Sequence, residues 1–235
     1  MIRFKFYENQ IKKFIKKNKK ILILGASSKE GDLFYRLKYK NVTLSNINLE
    51  QLKNFNKKKF IIKKIDFNNL FKIKTNSYDY VIVHASIHHT NKPHSVIIEM
   101  YRIARNGILI IEANDSWIMR TSVKLGFSEE FEKSALNEKD FVGGVNGTDT
   151  PNYIFRWTER EIYKLFSSFE PQKELKIIFD YQNNILNENL VNTFYKKLIL
   201  FLAFIILKLV FIFFSKQQNL MSIYVDKINS KKRLF

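Results

Sequence analysis

Apolar positions along the chain fall into two kinds of pattern. Residues 21–25, Ile-Leu-Ile-Leu-Gly, form a short continuous run, as a strand buried on both faces of a parallel sheet requires. Further strand-length segments, less uniformly apolar, stand at 42–46, 60–65, 78–83, 108–112, 175–179 and 220–225. Between them apolar residues recur at helical spacing. Ile97, Met100, Tyr101 and Ala104 share one face, and Ile162, Leu165, Phe166 and Phe169 share another. Start signals precede these stretches. Ser27 and Ser28 can cap a helix near 30–39, Asn48 with Gln51 a short one, Asn91 and Pro93 the next, and Thr158 with Glu161 the last. Gly107 reads as a helix stop. Strands alternating with helices predict βαβ units and an α/β three-layer sandwich, Rossmann-like. Residues 115–156 carry no period and hold Gly143, Gly144, Gly147 and Pro151, so loops are expected to dominate.

The two ends differ from this pattern. Ile11, Phe14 and Ile15 form a stripe, with Lys12, Lys13, Lys16 and Lys17 opposite. Such a helix packs on its own domain or lies on a membrane; packing is the favoured reading. No apolar h-region of a signal peptide is present there. Residues 198–214 are apolar apart from Lys208. As a helix they would reach about 25 Å at about 1.5 Å per residue, short of a bilayer core of about 30 Å. Lys196, Lys197 and Lys216 flank both ends, so no positive-inside asymmetry appears. If 220–225 rejoins the sheet, a single crossing fails. The segment is therefore read as an in-plane membrane helix or re-entrant hairpin, with a buried or dimer-interface helix and a true span as the alternatives. The chain divides into an N-terminal amphipathic helix (1–19), one domain (20–228) with an apolar helical insertion at about 183–217, and a basic tail (229–235).

At 235 residues the chain suffices for one α/β domain with a full core. It has no cysteine, which rules out disulfides, thiolate metal sites and cysteine nucleophiles and fits a reducing cytoplasm. The net charge is +18, but the lysines are scattered, so compositional bias explains it better than a nucleic-acid face. The four histidines are spaced unlike zinc ligand sets, and no metal is expected. The expected location is cytoplasmic, or peripheral on the inner face of a membrane through 198–214.

Candidate chemistry begins at the loop after the first run, Gly25-Ala26-Ser27-Ser28-Lys29-Glu30-Gly31. Small residues there let a ligand approach the backbone, and the next helix offers unpaired N–H groups. The loop is not a clean G-x-G-x-x-G, and a plain turn fits as well. Asn46 ends the second run, where a ribose-binding acid usually sits; it or Asn48 can equally be a helix cap. Asp66 follows the third run, either as an acceptor for an adenine amino group or as a cap.

The segment 77–112 carries the most specific signals. Asp79 and Val81, the loop Ile87-His88-His89, Glu99 and Arg102 on a helix, and Gly107 leading to Glu112 occur in order. With these the sequence resembles the class I S-adenosylmethionine (SAM)-dependent methyltransferase family, in its small-molecule, type 11-like branch. The resemblance covers residues 20–113 and the final strand, and gives no motif for 115–217. It implies a seven-stranded, mostly parallel sheet with an antiparallel last strand, and SAM as cofactor. It places the methionine part near Gly25, Ala26, Ser27 and Gly31, the ribose at Asn46, the adenine near Asp66 and Phe67, and the sulfonium near His84 and Ala85. Ser27 stands where a second glycine is common, and Asn46 replaces the usual acid.

Methyl transfer depends chiefly on alignment, and an oxygen acceptor also gains from a base. His88 and His89 are the candidates, with Glu112 and Asp115 behind them; loop packing is the alternative for the histidine pair. Glu99 and Arg102 read as structural. Residues 151–157 read as part of an acceptor site or lid, or as an ordinary connection. The expected acceptor is a small-molecule or a lipid- or saccharide-linked group, methylated on oxygen. Two other classes remain open: a non-catalytic membrane-associated binding or scaffold protein on a degenerate methyltransferase fold, and an NAD(P)-linked oxidoreductase, against which the missing glycine fingerprint counts. The stretch His84-Ala85-Ser86-Ile87 lacks the Asn-Pro-Pro-aromatic signature of nucleic-acid amino-methylating enzymes.

Overall fold

The strand-length segments of the first half become five parallel strands, four of them buried along most of their length, as a parallel sheet covered on both faces requires. They are β1 (Ile21–Leu24), β2 (Val42–Asn46), β3 (Ile61–Lys64), β4 (Tyr78–His84) and β5 (Ala104–Ala113). The computed structural model describes residues 2–55, 60–133, 143–183 and 206–233. Beyond β5 come a two-stranded ribbon of β6 (Phe131–Glu132) and β7 (Asn152–Tyr153), then β8 (Lys173–Gln182) and β9 (Leu220–Lys232). The main sheet has seven strands in the order β3-β2-β1-β4-β5-β9-β8. β9 runs antiparallel to both β5 and β8, so the last strand alone reverses direction. This is the Rossmann-like sheet that the sequence predicts.

The helices that accompany the sheet include α1 (Ile2–Phe14), α2 (Ser28–Arg36), α3 (Pro93–Ile103), α4 (Trp117–Lys124) and α5 (Glu159–Phe169). Alternate strand residues face opposite layers. Ile21, Ile23, Tyr80, Ile82, Leu109 and Ile111 pack with α1 and α2. Leu22, Leu24, Val81, Val83, Ile108 and Ile110 pack with α3 and α5. α1 begins earlier than its lysine-rich stripe suggests and buries Phe6, Tyr7, Gln10 and Ile11. The Tyr39 hydroxyl donates to the carbonyl of Ile15 at 2.8 Å, which pins that helix end to the domain.

Several elements differ from the sequence expectation. Helix α3 ends at Ile103 and the chain turns extended at Ala104, so Gly107 lies inside β5. A Cβ there would sit 2.5 Å from the Val225 carbonyl oxygen; close approach of β9 requires the glycine, not a helix stop. Residues 115–156 hold α4 and the β6–β7 ribbon as well as loops. No residue of α4 is buried, and its eight residues make only about two turns, too short for a helical period to stand out. Strand β3 is an edge strand with Ile61 56 % and Ile62 43 % exposed. Of the apolar segment 198–214, residues 198–205 lie outside the described residues. Residues 206–213 are helical, with Phe211 buried and Ile206, Leu209, Ile212, Phe213 and Phe214 exposed. Among the described residues, no helix is long and apolar enough to cross a membrane.

Candidate functional site

From β1 the chain winds outward through β2 and β3, then returns to β4 on the other side of β1. This reversal opens a crevice at the carboxyl ends of β1 and β4, where open α/β sheets bind ligands. A cavity of about 190 Å³ lies there, lined by Gly25, Ser27, Asn46, Asp66, Phe67, Ser86 and His89. Gly144, Asn146 and Gly147 close it from the loop before β7.

Local geometry explains each wall. Gly25 has a φ of +64°, and a Cβ there would lie 2.5 Å from the Ser86 side chain. Only glycine lets the loops after β1 and β4 touch in this way. Ser27 is the N-cap of α2: its hydroxyl accepts from Lys29 N–H at 3.3 Å, and Glu30 accepts from the Ser27 N–H at 2.9 Å and from its hydroxyl. Asn46 donates through Nδ2 to the Ala26 carbonyl at 2.9 Å, and its Oδ1 accepts from Asn48 N–H at 3.0 Å. Asp66 accepts from Asn68 N–H at 2.9 Å and, at 3.2 Å each, from the side-chain amides of Asn68 and Asn69. Asn46 and Asp66 therefore brace their own turns and also face the cavity. By lone-pair count each keeps about one acceptor position for a ligand.

Ala26, Gly31, His84, Ala85 and His88, all singled out from sequence, lie off the cavity wall. Ala26 is fully buried, and its N–H donates to Ser45 at 2.8 Å. Gly31 sits within α2, where a Cβ would be 2.6 Å from Phe55 and 2.9 Å from Leu44. His84 stacks on Tyr7 with ring centroids 4.5 Å apart and places Nδ1 3.1 Å from Glu30. Burial raises the Glu30 pKa, but His84 and Ser27 outweigh it and leave the carboxyl below its ordinary value.

The histidine pair is held by carboxylates. Ala85 adopts a positive φ of 51°, a conformation that non-glycine residues rarely take. This turns the N–H groups of Ser86 and Ile87 onto one oxygen of Glu112, at 2.7 and 2.8 Å. The other Glu112 oxygen is 3.0 Å from His88 Nδ1. His88 Nε2 and His89 Nε2 stand 3.5 and 3.7 Å from a single oxygen of Glu132. Burial opposes charge on His88, but Glu112 and Glu132 prevail and raise its pKa to about 9. Burial and the neighbouring His88 lower the pKa of His89. Burial likewise opposes charge on Glu132, and His88 outweighs it, holding the carboxyl at about 2. At neutral pH His88 is thus an imidazolium with no lone pair to offer, while His89 is neutral and stands on the cavity wall.

Glu132, Asn152, Ser86 and Gly143 complete this constellation and were not singled out as site residues from sequence. Glu132, Asn152 and Gly143 sit in the aperiodic stretch 115–156, where no local signal marks them, and Ser86 stands two residues after β4 without a spacing that marks it. Asp115 is engaged by Arg120 at 2.7 Å. Glu99 pairs with Arg102 at 2.7 Å, and Arg102 braces the turn before β4 through the Leu70 carbonyl and Thr75. In the 151–157 stretch Trp157 is fully buried and its N–H bonds the Ala113 carbonyl at 2.9 Å, so that end is anchored to the sheet.

The family described as "Methionine biosynthesis protein MetW" matches residues 6–140, more than half of the 235. No curated protein matches the chain. A solved SAM-dependent methyltransferase from Thermotoga maritima is 14 % identical, with 94 % of this chain and 88 % of that one covered and a TM-score of 0.55. One from Archaeoglobus fulgidus is 10 % identical, with 95 % and 94 % covered and a TM-score of 0.55. Magnesium protoporphyrin IX methyltransferase from Synechocystis PCC 6803, solved with bound SAH, is 10 % identical, with 94 % and 80 % covered and a TM-score of 0.52. At these identities the likeness is one of fold.

Proposed function

The chain belongs to the MetW family, and from that premise we propose that it is a SAM-dependent methyltransferase. One observation carries the reading: the cavity lies at the switch point of a methyltransferase-type sheet, and Gly25, Ser27, Asn46, Asp66 and Phe67 all line it. When bound, SAM supplies an electrophilic methyl group on a sulfonium. The free Asn46 Oδ1 position suits a ribose hydroxyl, and the remaining Asp66 position suits the adenine amino group. Phe67, Ile47 and Ile65 give the apolar walls that a base needs. His89 faces the acceptor side of the cavity, and His88 positions it.

The acceptor proposed is a hydroxyl on a small-molecule or a lipid- or saccharide-linked group. Support for a lipid link comes from the edge of the sheet that carries the cavity. Trp117 of α4 is 71 % exposed and Phe213 79 %. Their segments are tied together by Ser116 donating to the Gln217 carbonyl at 2.9 Å. Both lie at the Ala113↔Leu220 end of the β5–β9 pair, the carboxyl end of the parallel strands. An exposed apolar flank on the edge of the sheet that also carries the cavity suits a protein that meets its acceptor at a membrane surface.

The test is calorimetric titration of SAM and SAH into the wild type and Asp66→Ala. Loss of a hydrogen bond to a charged acceptor, about 1.5–3 kcal/mol, predicts binding weakened roughly 10- to 100-fold. Folded wild type that binds neither compound overturns the proposal. Co-sedimentation with anionic vesicles tests the flank: Trp117→Ser with Phe213→Ser should release the protein, and a wild type that stays in the supernatant refutes the membrane part alone.

A further inference from the structure

His88 and His89 are neighbours in sequence, yet their rings lie side by side, with centroids 4.5 Å apart and planes at 32°. Each Nδ1 already has an acceptor: Glu112 Oε2 at 3.0 Å for His88 and the Gly143 carbonyl at 2.8 Å for His89. Each Nε2 points to the same atom, Glu132 Oε2, at 3.5 and 3.7 Å. Both separations exceed those of good hydrogen bonds. They are close to the edge of a coordination tetrahedron, about 3.3–3.4 Å when metal–ligand bonds are about 2.0–2.1 Å. All three ligand atoms lie within 4.8 Å of one another.

We propose that His88, His89 and Glu132 form a site for a divalent cation of zinc type, with three protein ligands and one open position. The surrounding shell is what such a site needs. Glu112, 1 % exposed, takes the Nδ1–H of His88, and a cation would displace to solvent the proton that Nε2 carries in its absence. The Asn152 amide nitrogen holds Glu132 Oε2 at 3.2 Å. It also lies 2.8 Å from His89 Nδ1, so a cation selects the tautomer with Nδ1–H toward Gly143. Asn152 is fully buried, and its side-chain oxygen has no partner, leaving one more oxygen donor in this shell. Sequence spacing hid the set because Glu132 arrives from the separate β6–β7 ribbon.

His89 also lines the cavity, so the open position adjoins the space assigned to the acceptor. A cation there would bind the acceptor's hydroxyl oxygen, and His89 would act through it rather than as a free base. That consequence rests on the methyltransferase reading; cation binding itself does not.

The experiment uses untagged full-length protein, stripped with chelator and titrated with Zn²⁺ and then Co²⁺. The expected result is one equivalent bound, with the visible absorption of tetrahedral Co²⁺. Glu132→Gln and His89→Ala should each weaken binding at least tenfold, and Glu112→Gln by about 10- to 100-fold through the second shell. Circular dichroism and SAH titration show whether each variant is folded. Absence of stoichiometric binding overturns the proposal, as does binding unchanged in folded Glu132→Gln, which would assign the cation to another place such as the His94–Glu161 pair. Cation binding without SAM binding would leave the site standing and overturn only the methyltransferase reading.

Discussion

Replacing Glu112 with alanine removes the acceptor on which the loop after β4 depends. The carboxylate is 1 % exposed and receives three donors: Ser86 N–H at 2.7 Å, Ile87 N–H at 2.8 Å and His88 Nδ1 at 3.0 Å. None of these can turn to water without unfolding the loop. A bond to a charged partner contributes about 1.5–3 kcal/mol, and breaking a buried ion pair by removing one partner costs about 3–5 kcal/mol. The three bonds share one group and are not additive, so about 3–5 kcal/mol is expected for Glu112→Ala. At about 2–4 °C per kcal/mol for a chain of this size, melting should fall by roughly 6–20 °C. Glu112→Gln keeps an oxygen for the two backbone donors and loses the ion pair, so it should fall between wild type and alanine. Urea unfolding followed by circular dichroism measures both. In His88→Ala the alanine substitution at 112 should cost less, by about 0.5–3 kcal/mol of coupling. A Glu112→Ala protein within 1 kcal/mol of wild type would refute the reasoning.

Two further outcomes follow from packing and titration. Gly31→Ala gains about 1 kcal/mol of helix propensity, but its Cβ would meet the Phe55 ring at 2.6 and 2.8 Å and Leu44 at 2.9 Å. Overpacking of about 1–3 kcal/mol should leave the variant less stable in urea, and a net gain would show that α2 shifts freely. Burial, with Tyr80 nearby, raises the Tyr39 pKa from 10 to about 12. A raised folded-state value means that the stabilisation is complete below pH 10 and is lost as pH rises through 12. Tyr39→Phe, lacking the bond to Ile15, should lose about 1 kcal/mol at pH 8. It should also lose less stability than wild type between pH 10 and 12, and parallel alkaline curves would contradict the assignment.

What the sequence determined by itself is what a one-dimensional period can encode. The most continuous apolar segments, at β1, β4 and β5, became the buried centre of the parallel sheet, because burial on both faces leaves little room for polar alternation. The stripe of Ile97, Met100 and Tyr101 became α3 on the sheet, with Ala104 opening β5 instead, and the small-residue loop at Gly25 came to lie at the switch point. α4 was not legible, because eight residues span only about two turns and leave a helical period too short to read. Gly107 was misread, since only the approach of Val225 on β9 shows why a side chain is forbidden there. In the candidate site, Gly25, Asp66 and His89 stood beside recognisable strand ends. The partners of the histidines did not. Glu132 and Asn152 reach them from a two-stranded ribbon in an aperiodic stretch, and Glu112 reaches them only because β5 lies next to β4. Tertiary structure alone decided that His88 is charged and His89 neutral. The reason is that charge in a buried cluster depends on distances between groups far apart in the chain, and no local pattern of apolar and polar residues carries those distances.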